Sequence, residues 1–356
     1  LSSSSAASDV YKRQALIATN FMYNSKIIGM GMYVPDNVVS NEDLTVMMDT
    51  SHAWILERTG IEERRHIKKG DGNTTATMGV KAAKIAIERA NIDKNDIDLI
   101  LFATLSPDYY FPGSGVIVQQ HLEIPTCPAM DIRNQCSGFI YALSTADQFI
   151  KTGMYKNILI IGSENHSGGL DMTTRGRAVS VIFGDGAGAV VLSRSEDTNK
   201  GILSTHLHSE GQFAKELALI GPSTNRWIPE IMDANDPNDI SYYPNMNGQL
   251  VFKNAVVRFS EVIMEGLQQN QMTPDQIDML IPHQANLRIS QFIQRKFCLS
   301  DDQVYNNIMR YGNTTAGSIP IAMTEAWEEG KIKSGDMVVL AAFGSGFTWG
   351  SALIRW

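Results

Sequence analysis

The segment 183-FGDGAGAVVL-192 runs from paired glycines into an apolar stretch, and its opening Phe-Gly-x-Gly returns in 343-FGSGFTWGSALI-354. Glycines spaced like those of the first copy suggest a dinucleotide site, but that motif needs a helix after its glycines. Here the chain continues as Val-Val-Leu, a strand, so the glycines are read as letting backbones pack closely. The recurrence points to an internal duplication, and both copies extend when followed outward. Each is preceded by an apolar strand, 157-NILIIG-162 and 337-MVVLAAFG-344. Before these, a stretch from 134-NQCSG-138 to Thr152-Gly153 matches one from 313-NTTAG-317 to Glu329-Gly330, which sets Asn313 opposite Asn134. Earlier still, a helix over Lys81 to Ala90, a turn and 96-DIDLILFAT-104 match a helix, Thr273-Pro-Asp and 276-QIDMLIPHQ-284. His283 then falls opposite Ala103, at the carboxyl end of a strand, the edge where open α/β sheets place their sites.

Continuous Val/Ile/Leu-rich strands alternating with helices predict an α/β fold with each sheet covered on both faces, and the duplication predicts two such units packed together. The polar, turn-rich Ser193 to Gly201 marks the join, giving halves of 22–195 and 196–356. The leader, residues 1–21, has neither a signal-peptide core nor a turn or strand pattern that continues into the rest of the chain, and is read as non-native or disordered, with Met22 a natural start.

Composition narrows the chemistry. Of 356 residues 43% are hydrophobic and 19% charged, ordinary for a globular protein. The three cysteines, Cys127, Cys136 and Cys298, are widely spaced, with no CxxC pair and no histidine at ligand spacing, so neither a disulfide framework nor a metal site is predicted. That usage suits a reducing compartment, the cytoplasm. No apolar run reaches the roughly 18 residues of a membrane span. A formal charge of −8 argues against nucleic-acid binding, and any anionic partner needs a local basic patch. His206 and His208 share one face of a strand; without a third ligand they read as a surface or interface feature.

In 131-DIRNQCSGFIYAL-143 a cysteine stands at the start of a helix. With Asn134 as N-cap, Cys136 would sit beside unpaired N–H groups and the positive end of the macrodipole, a place that favours thiolate and lowers the usual cysteine pKa of about 8.5. A buried, unreactive thiol is the competing reading. His283 in 281-IPHQANLRI-289 and Asn313 lie at the ends of duplicated elements, and a Cys, a His and an Asn converging at one seam make a nucleophile constellation.

Six motifs together, 49-DTSHAWILERTGIEERR-65, QCSGF, 180-SVIFGDGAGAVVL-192, 282-PHQANLRI-289, 311-YGNTTAGS-318 and 343-FGSGFTWGSALIRW-356, give the chain from about Met22 to Trp356 its resemblance to β-ketoacyl-acyl-carrier-protein synthase III. The resemblance implies the thiolase fold, a duplicated five-layer αβαβα architecture. It also implies a homodimer that condenses an acyl-CoA primer with malonyl-acyl-carrier protein, losing carbon dioxide and starting fatty-acid synthesis without metal or redox cofactor. Cys136 would carry the acyl group, His283 and Asn313 would bind the malonyl thioester oxygen, and the N–H groups of Cys136 and Ser345 would form a second oxyanion hole. The same resemblance assigns CoA to Trp54, Arg58, Arg175 and Asn286, with Trp54 and Arg175 on either side of the adenine, and an acyl-pocket role across the dimer to Phe111. Carrier-protein docking falls to Arg288, Arg295 and Lys296, at i, i+7 and i+8 of a predicted helix from Asn286 to Cys298 whose other side carries Ile289, Phe292, Ile293 and Phe297; Lys253 extends the patch. Two departures bear on substrate: Arg133-Asn134-Gln135 replaces small residues before the nucleophile, and Ser345 interrupts a glycine run. The alternatives are a related thiolase-fold condensing enzyme or acyltransferase of specialised or long-chain acyl metabolism, a Cys-His-Asn thioester hydrolase, and a non-catalytic binding subunit.

Overall fold

The computed structural model describes residues 23–197, 199–221, 223 and 239–356; the leader and Met22 lie outside them. The strands in chain order are β1 (Asn24–Tyr33), β2 (Val38–Ser40), β3 (Glu63–Arg65), β4 (Leu99–Ala103), β5 (Ala129–Ile132), β6 (Asn157–Glu164), β7 (Gly186–Ser195), β8 (Gly201–Ser209), β9 (Leu217–Ala218), β10 (Asn245–Met246), β11 (Met279–Pro282), β12 (Met337–Gly344) and β13 (Thr348–Arg355). Two sheets carry the fold, ordered β1-β7-β6-β4-β5 and β8-β13-β12-β11. Their directions match pair by pair. β4 and β6 are parallel, as are β11 and β12, while β6–β7 and β12–β13 are antiparallel. The counterpart of β5 is reduced to one parallel bridge from Leu280 to Val304.

The principal helices are α1 (Thr75–Ala90), α2 (Ser114–His121), α3 (Gly138–Lys151), α4 (Gly248–Gln269), α5 (Leu287–Lys296) and α6 (Ser318–Glu328). Strand periodicity sorts them into layers. Along β12, Val338, Leu340 and Ala342 join Phe139, Leu143 and Ile150 of α3 and Ile319 and Met323 of α6 in a central core, while Val339, Ala341 and Phe343 face α4 and α5. Along β6, Ile158 and Ile160 point to that central core and Leu159 and Ile161 to α1. Both sheets are thus buried on both faces, which is why their strands read as unbroken apolar runs. The order is five layers, with α3 and α6 as the shared middle.

The repeat is real, with two corrections. The turns that open α3 and α6 are Gln135–Ser137 and Thr315–Gly317, and each begins at a left-handed residue, Gln135 at φ 44° and Thr315 at φ 49°. Thr314, not Asn313, is therefore the counterpart of Asn134; the shared Asn and Gly letters align one residue out of register. The Phe-Gly pairs also differ. Phe343 and Gly344 end β12, whereas Phe183 and Gly184 lie in the loop before β7.

The halves touch backbone to backbone. A Cβ at Gly162 of β6 would lie 2.2 Å from the Ala316 carbonyl oxygen, with no flexible side chain to yield. Gly162→Ala is expected to cost about 3 kcal/mol of stability by overpacking. Thermal unfolding beside Gly211→Ala, where a Cβ meets nothing within 4 Å, checks it; equal melting temperatures would contradict the close approach.

Candidate active site

After β5 the chain turns through Gln135–Ser137 into α3, and Cys136 is the middle residue of that turn. The turn is fastened by backbone. Both the N–H and the hydroxyl of Ser137 donate to the Asn134 carbonyl, at 3.1 and 2.9 Å. The Asn134 side chain makes no cap bond, contrary to the expectation from sequence. The end of β12 packs against the cysteine: a Cβ at Gly344 would lie 2.5 Å from the Cys136 Cβ, so only glycine lets Ser345 follow at this distance.

Cys136 is 6% exposed, and burial pushes its thiol up to about 12, with the charge of Glu164 acting in the same direction. The backbone N–H groups of Ser345 and of Cys136 itself interact with the sulfur and oppose the rise. The expected resting thiolate is therefore overturned, because desolvation in this core outweighs the donors at the head of the helix. The same two N–H groups are the pair anticipated as an oxyanion hole.

His283 follows β11, with its N–H bonded to the Ala341 carbonyl at 2.8 Å. Burial, and next the neighbouring His166, hold its imidazole down at about 3, so it is neutral at any ordinary pH. Its Nδ1 meets Ser318 Oγ at 2.6 Å, while Nε2 is buried with no partner among the described residues. Ser318 Oγ also accepts from the Gln284 N–H at 3.4 Å, and its hydrogen has no other acceptor among the described residues; donated to Nδ1, it leaves the ring proton on Nε2. Asn313 is clamped by its backbone, donating to the Ile182 carbonyl at 2.8 Å and accepting from Gly184 at 3.1 Å. Its Oδ1 accepts from the Thr315 N–H at 2.8 Å, which orients Nδ2 the other way as a donor with no partner among the described residues.

Cys136, His283 and Asn313 line one cavity of about 90 Å³. On its other side Cys136 lines a second cavity of about 290 Å³, walled by Leu105, Leu170, Phe183 and Leu217 and bordered by Arg133, Gln135 and Ser345. Sequence alone missed Glu164 and His166, although both stand in 163-SENHSGG-169 at the end of a buried strand. Glu164 is held up at about 7 by burial, against bonds from Thr104, Leu105 and Ser106 that favour its charge. His166 Nε2 lies 2.6 Å from Thr315 Oγ1, beside the Asn313 clamp.

Among the remaining candidates, Trp54 lies on the helix His52–Thr59 with the guanidinium carbons of Arg58 and Arg177 over its ring, at 4.6 and 4.8 Å. Arg175 is not against Trp54. It is drawn to Asp171 at 2.6 Å and lies over Tyr243 at 5.3 Å, so the pairing expected for an adenine is taken by Arg177. Asn286 caps α5 through Arg288 N and donates to the Arg58 carbonyl at 2.9 Å, which ties the Trp54 helix to the cavity wall. Phe111 is 81% exposed beside Tyr110, which excludes a core role within this chain. Arg288, Arg295, Lys296 and Lys253 are exposed. Ile289, Ile293 and Phe297 are buried as expected, but Phe292 turns outward at 38% exposure. His206 is buried while the His208 side chain is 40% exposed, and Glu265 of α4 pairs with both, at 3.4 and 2.6 Å, so the surface reading is corrected for His206 alone.

Compared with known proteins, the chain matches the family model for 3-oxoacyl-[acyl-carrier-protein] synthase III over residues 130–211 and that for its C-terminal part over 267–356. It is 49% identical over 331 residues to β-ketoacyl-[acyl-carrier-protein] synthase III of Aliivibrio fischeri, covering 93% of this chain and 99% of that one. With the enzyme of the same name from Salmonella arizonae it shares 46% over the same coverage. The crystal structure of 3-oxoacyl-[acyl-carrier-protein] synthase III from Aquifex aeolicus superimposes with a TM-score of 0.85 at 43% identity, over 93% of this chain and 100% of that one. With the duplicated sheets and the cysteine at their seam already in place, this identity over nearly the whole length settles the descent: the chain belongs to the β-ketoacyl-acyl-carrier-protein synthase III family of thiolase-fold condensing enzymes.

Proposed function

We propose that the chain starts fatty-acid synthesis by condensing an acyl-CoA primer with malonyl-acyl-carrier protein, with Cys136 as nucleophile and His283 and Asn313 as donors to the malonyl thioester. The observation that carries this is the shared cavity, with a thiol, an unpartnered imidazole Nε2 and a free carboxamide Nδ2 on its walls. In the first half-reaction Cys136 attacks the acyl-CoA carbonyl, the bond to the CoA sulfur breaks, and CoA leaves as the thiol with the cysteine proton. The negative carbonyl oxygen is stabilised by the N–H groups of Cys136 and Ser345, the two that favour the charged form of the sulfur. In the second, malonyl-carrier protein loses carbon dioxide; its enolate oxygen takes hydrogen bonds from His283 and Asn313, and its carbon attacks the acyl-Cys136 carbonyl. The thioester bond to Cys136 breaks, the sulfur leaves as thiolate and takes a proton from solvent to restore the thiol, and 3-oxoacyl-carrier protein leaves. The scheme calls for no cofactor. Incubation with labelled acyl-CoA tests it: label should stay on Cys136 until malonyl-carrier protein is added and then move to the product, whereas a hydrolase would release free acid.

CoA is assigned to Trp54, Arg58, Arg175 and Asn286, although Arg175 must leave Asp171 to reach an adenine stacked on Trp54. Arg288, Arg295, Lys296 and Lys253 are assigned to the acidic carrier protein; among the described residues none of the four is in an ion pair, which leaves their charge for a partner. Reversing Arg288 and Arg295 to Glu is expected to raise KM for malonyl-carrier protein about tenfold while Cys136 acylation holds, and a lower salt dependence of KM would accompany it. An unchanged KM would remove the patch from the docking surface.

A homodimer is proposed through β5, an edge strand flanked by exposed Val116 and Met130 and by the aromatic run Tyr109, Tyr110 and Phe111, which assigns Phe111 to the partner's acyl pocket. We take 22–195 and 196–356 as the two halves, since β7 ends in one sheet at Ser195 and β8 begins in the other at Gly201. The three free cysteines suit the cytoplasm. No helix among the described residues is long and apolar enough to cross a membrane.

A further inference from the structure

The 290 Å³ cavity beside Cys136 is apolar on the walls formed by Leu105, Leu170 and Leu217, but not on the side next to the nucleophile turn. Arg133, which precedes that turn, borders the cavity, and among the described residues its guanidinium has neither a carboxylate nor a hydrogen-bond acceptor. The nearby acids are engaged elsewhere. Asp131 accepts from the N–H groups of Ser114 and Gly115, at 2.7 and 2.8 Å, and Glu164 is ringed by donors from Thr104, Leu105 and Ser106. Asn165, also on the cavity, accepts through Oδ1 from Ser167 and Gly168, at 3.4 and 3.3 Å, and its Nδ2 has no partner among the described residues. Two residues with donors to give, one of them cationic, thus line the same cavity as the thiol.

Arg133 is exposed and Asn165 half-buried, so a plain alkyl chain would draw nothing from either donor and would be held by the leucine walls alone. A chain ending in a carboxylate would instead meet the planar fork of Arg133, which suits it in two-point contact, and the amide of Asn165. We propose that the acyl pocket of this chain takes primers bearing a distal carboxylate, the CoA monothioesters of short dicarboxylic acids, with Arg133 and Asn165 as the groups that recognise it. The inference rests on the reading of Cys136 as the acylated residue and deepens it by naming the class of acyl group.

The test pairs thioesters of equal length on the full-length protein: succinyl- with butyryl-CoA, glutaryl- with valeryl-CoA, and 3-hydroxybutyryl-CoA as a neutral polar primer. Acylation of Cys136 is followed by intact mass and condensation by product formation with malonyl-carrier protein. The carboxylated member of at least one pair is expected to be favoured about tenfold in kcat/KM, and Arg133→Ala and Arg133→Gln should each reduce that ratio by about tenfold, with Asn165→Leu reducing it less. Alkyl preference at both lengths, a stronger preference for the hydroxy primer, or a ratio unmoved in both Arg133 variants would each overturn the proposal while leaving the condensing reaction standing. Failure of every thioester to label Cys136 would instead overturn the reaction itself, and this proposal with it.

Discussion

Alanine at Cys136 is expected to abolish condensation, by on the order of 10⁴-fold or more, and to leave no covalent acyl group on the protein. No other cysteine can take over: Cys127 and Cys298 are free but line neither cavity beside the site. Slow decarboxylation of malonyl-carrier protein should survive, because the donors His283 and Asn313 keep their own anchors, Ser318 and the Thr315 N–H, and neither anchor passes through the sulfur. Loss of condensation with residual release of carbon dioxide therefore separates a missing nucleophile from a collapsed fold. The protonation state adds a second readout from the wild type. A thiol held at about 12 is almost wholly protonated at neutral pH, so its alkylation by iodoacetamide should rise about tenfold per pH unit between pH 6 and 9. A plateau near pH 7 would restore the low-pKa thiolate anticipated from sequence and discard the burial argument. Acyl-labelled protein from the alanine variant would remove Cys136 from the mechanism altogether.

The sequence carried the fold because its information is periodic. Unbroken apolar strands such as 157-NILIIG-162 have no solvent face, and 337-MVVLAAFG-344, with the same flanking elements, repeats that pattern in a second covered sheet. The strand-end position of His283 followed from the same register. What sequence did not carry is register within turns and the response of charge to burial. The mismatch between Asn134 and Asn313 arose because identity of letters was followed where the repeated physical event is a left-handed residue, visible only as φ at Gln135 and Thr315. The Cys136 error has the same root: a helix head can be read from sequence, but the depth of a thiol in a three-dimensional core cannot. Arg175 and Arg177 are two residues apart and chemically alike, and contacts made in the fold, the Asp171 ion pair among them, decide which of them reaches Trp54.

His283→Ala and Asn313→Ala should each slow condensation 10²- to 10³-fold, the typical cost of one preorganised oxyanion donor, about 3 to 4 kcal/mol. Acylation of Cys136 from acyl-CoA should fall far less in both, since the N–H groups that serve that step belong to Cys136 and Ser345. The double variant is expected to be little worse than either single one, because both donors act on one oxygen and the transition state needs them together. Single-turnover acylation and malonyl decarboxylation, measured separately, resolve the two half-reactions. Equal losses in both would assign the pair to general support of the fold. The pH dependence then distinguishes a neutral imidazole donor from a cation. With its pKa held at about 3 by burial, His283 keeps a neutral ring from pH 5 to pH 8, so decarboxylation should show no inflection from it in that range. A fall in rate as pH rises through about 6.5 would mean that the imidazolium is the active form, and the argument that burial keeps the ring neutral would then be wrong.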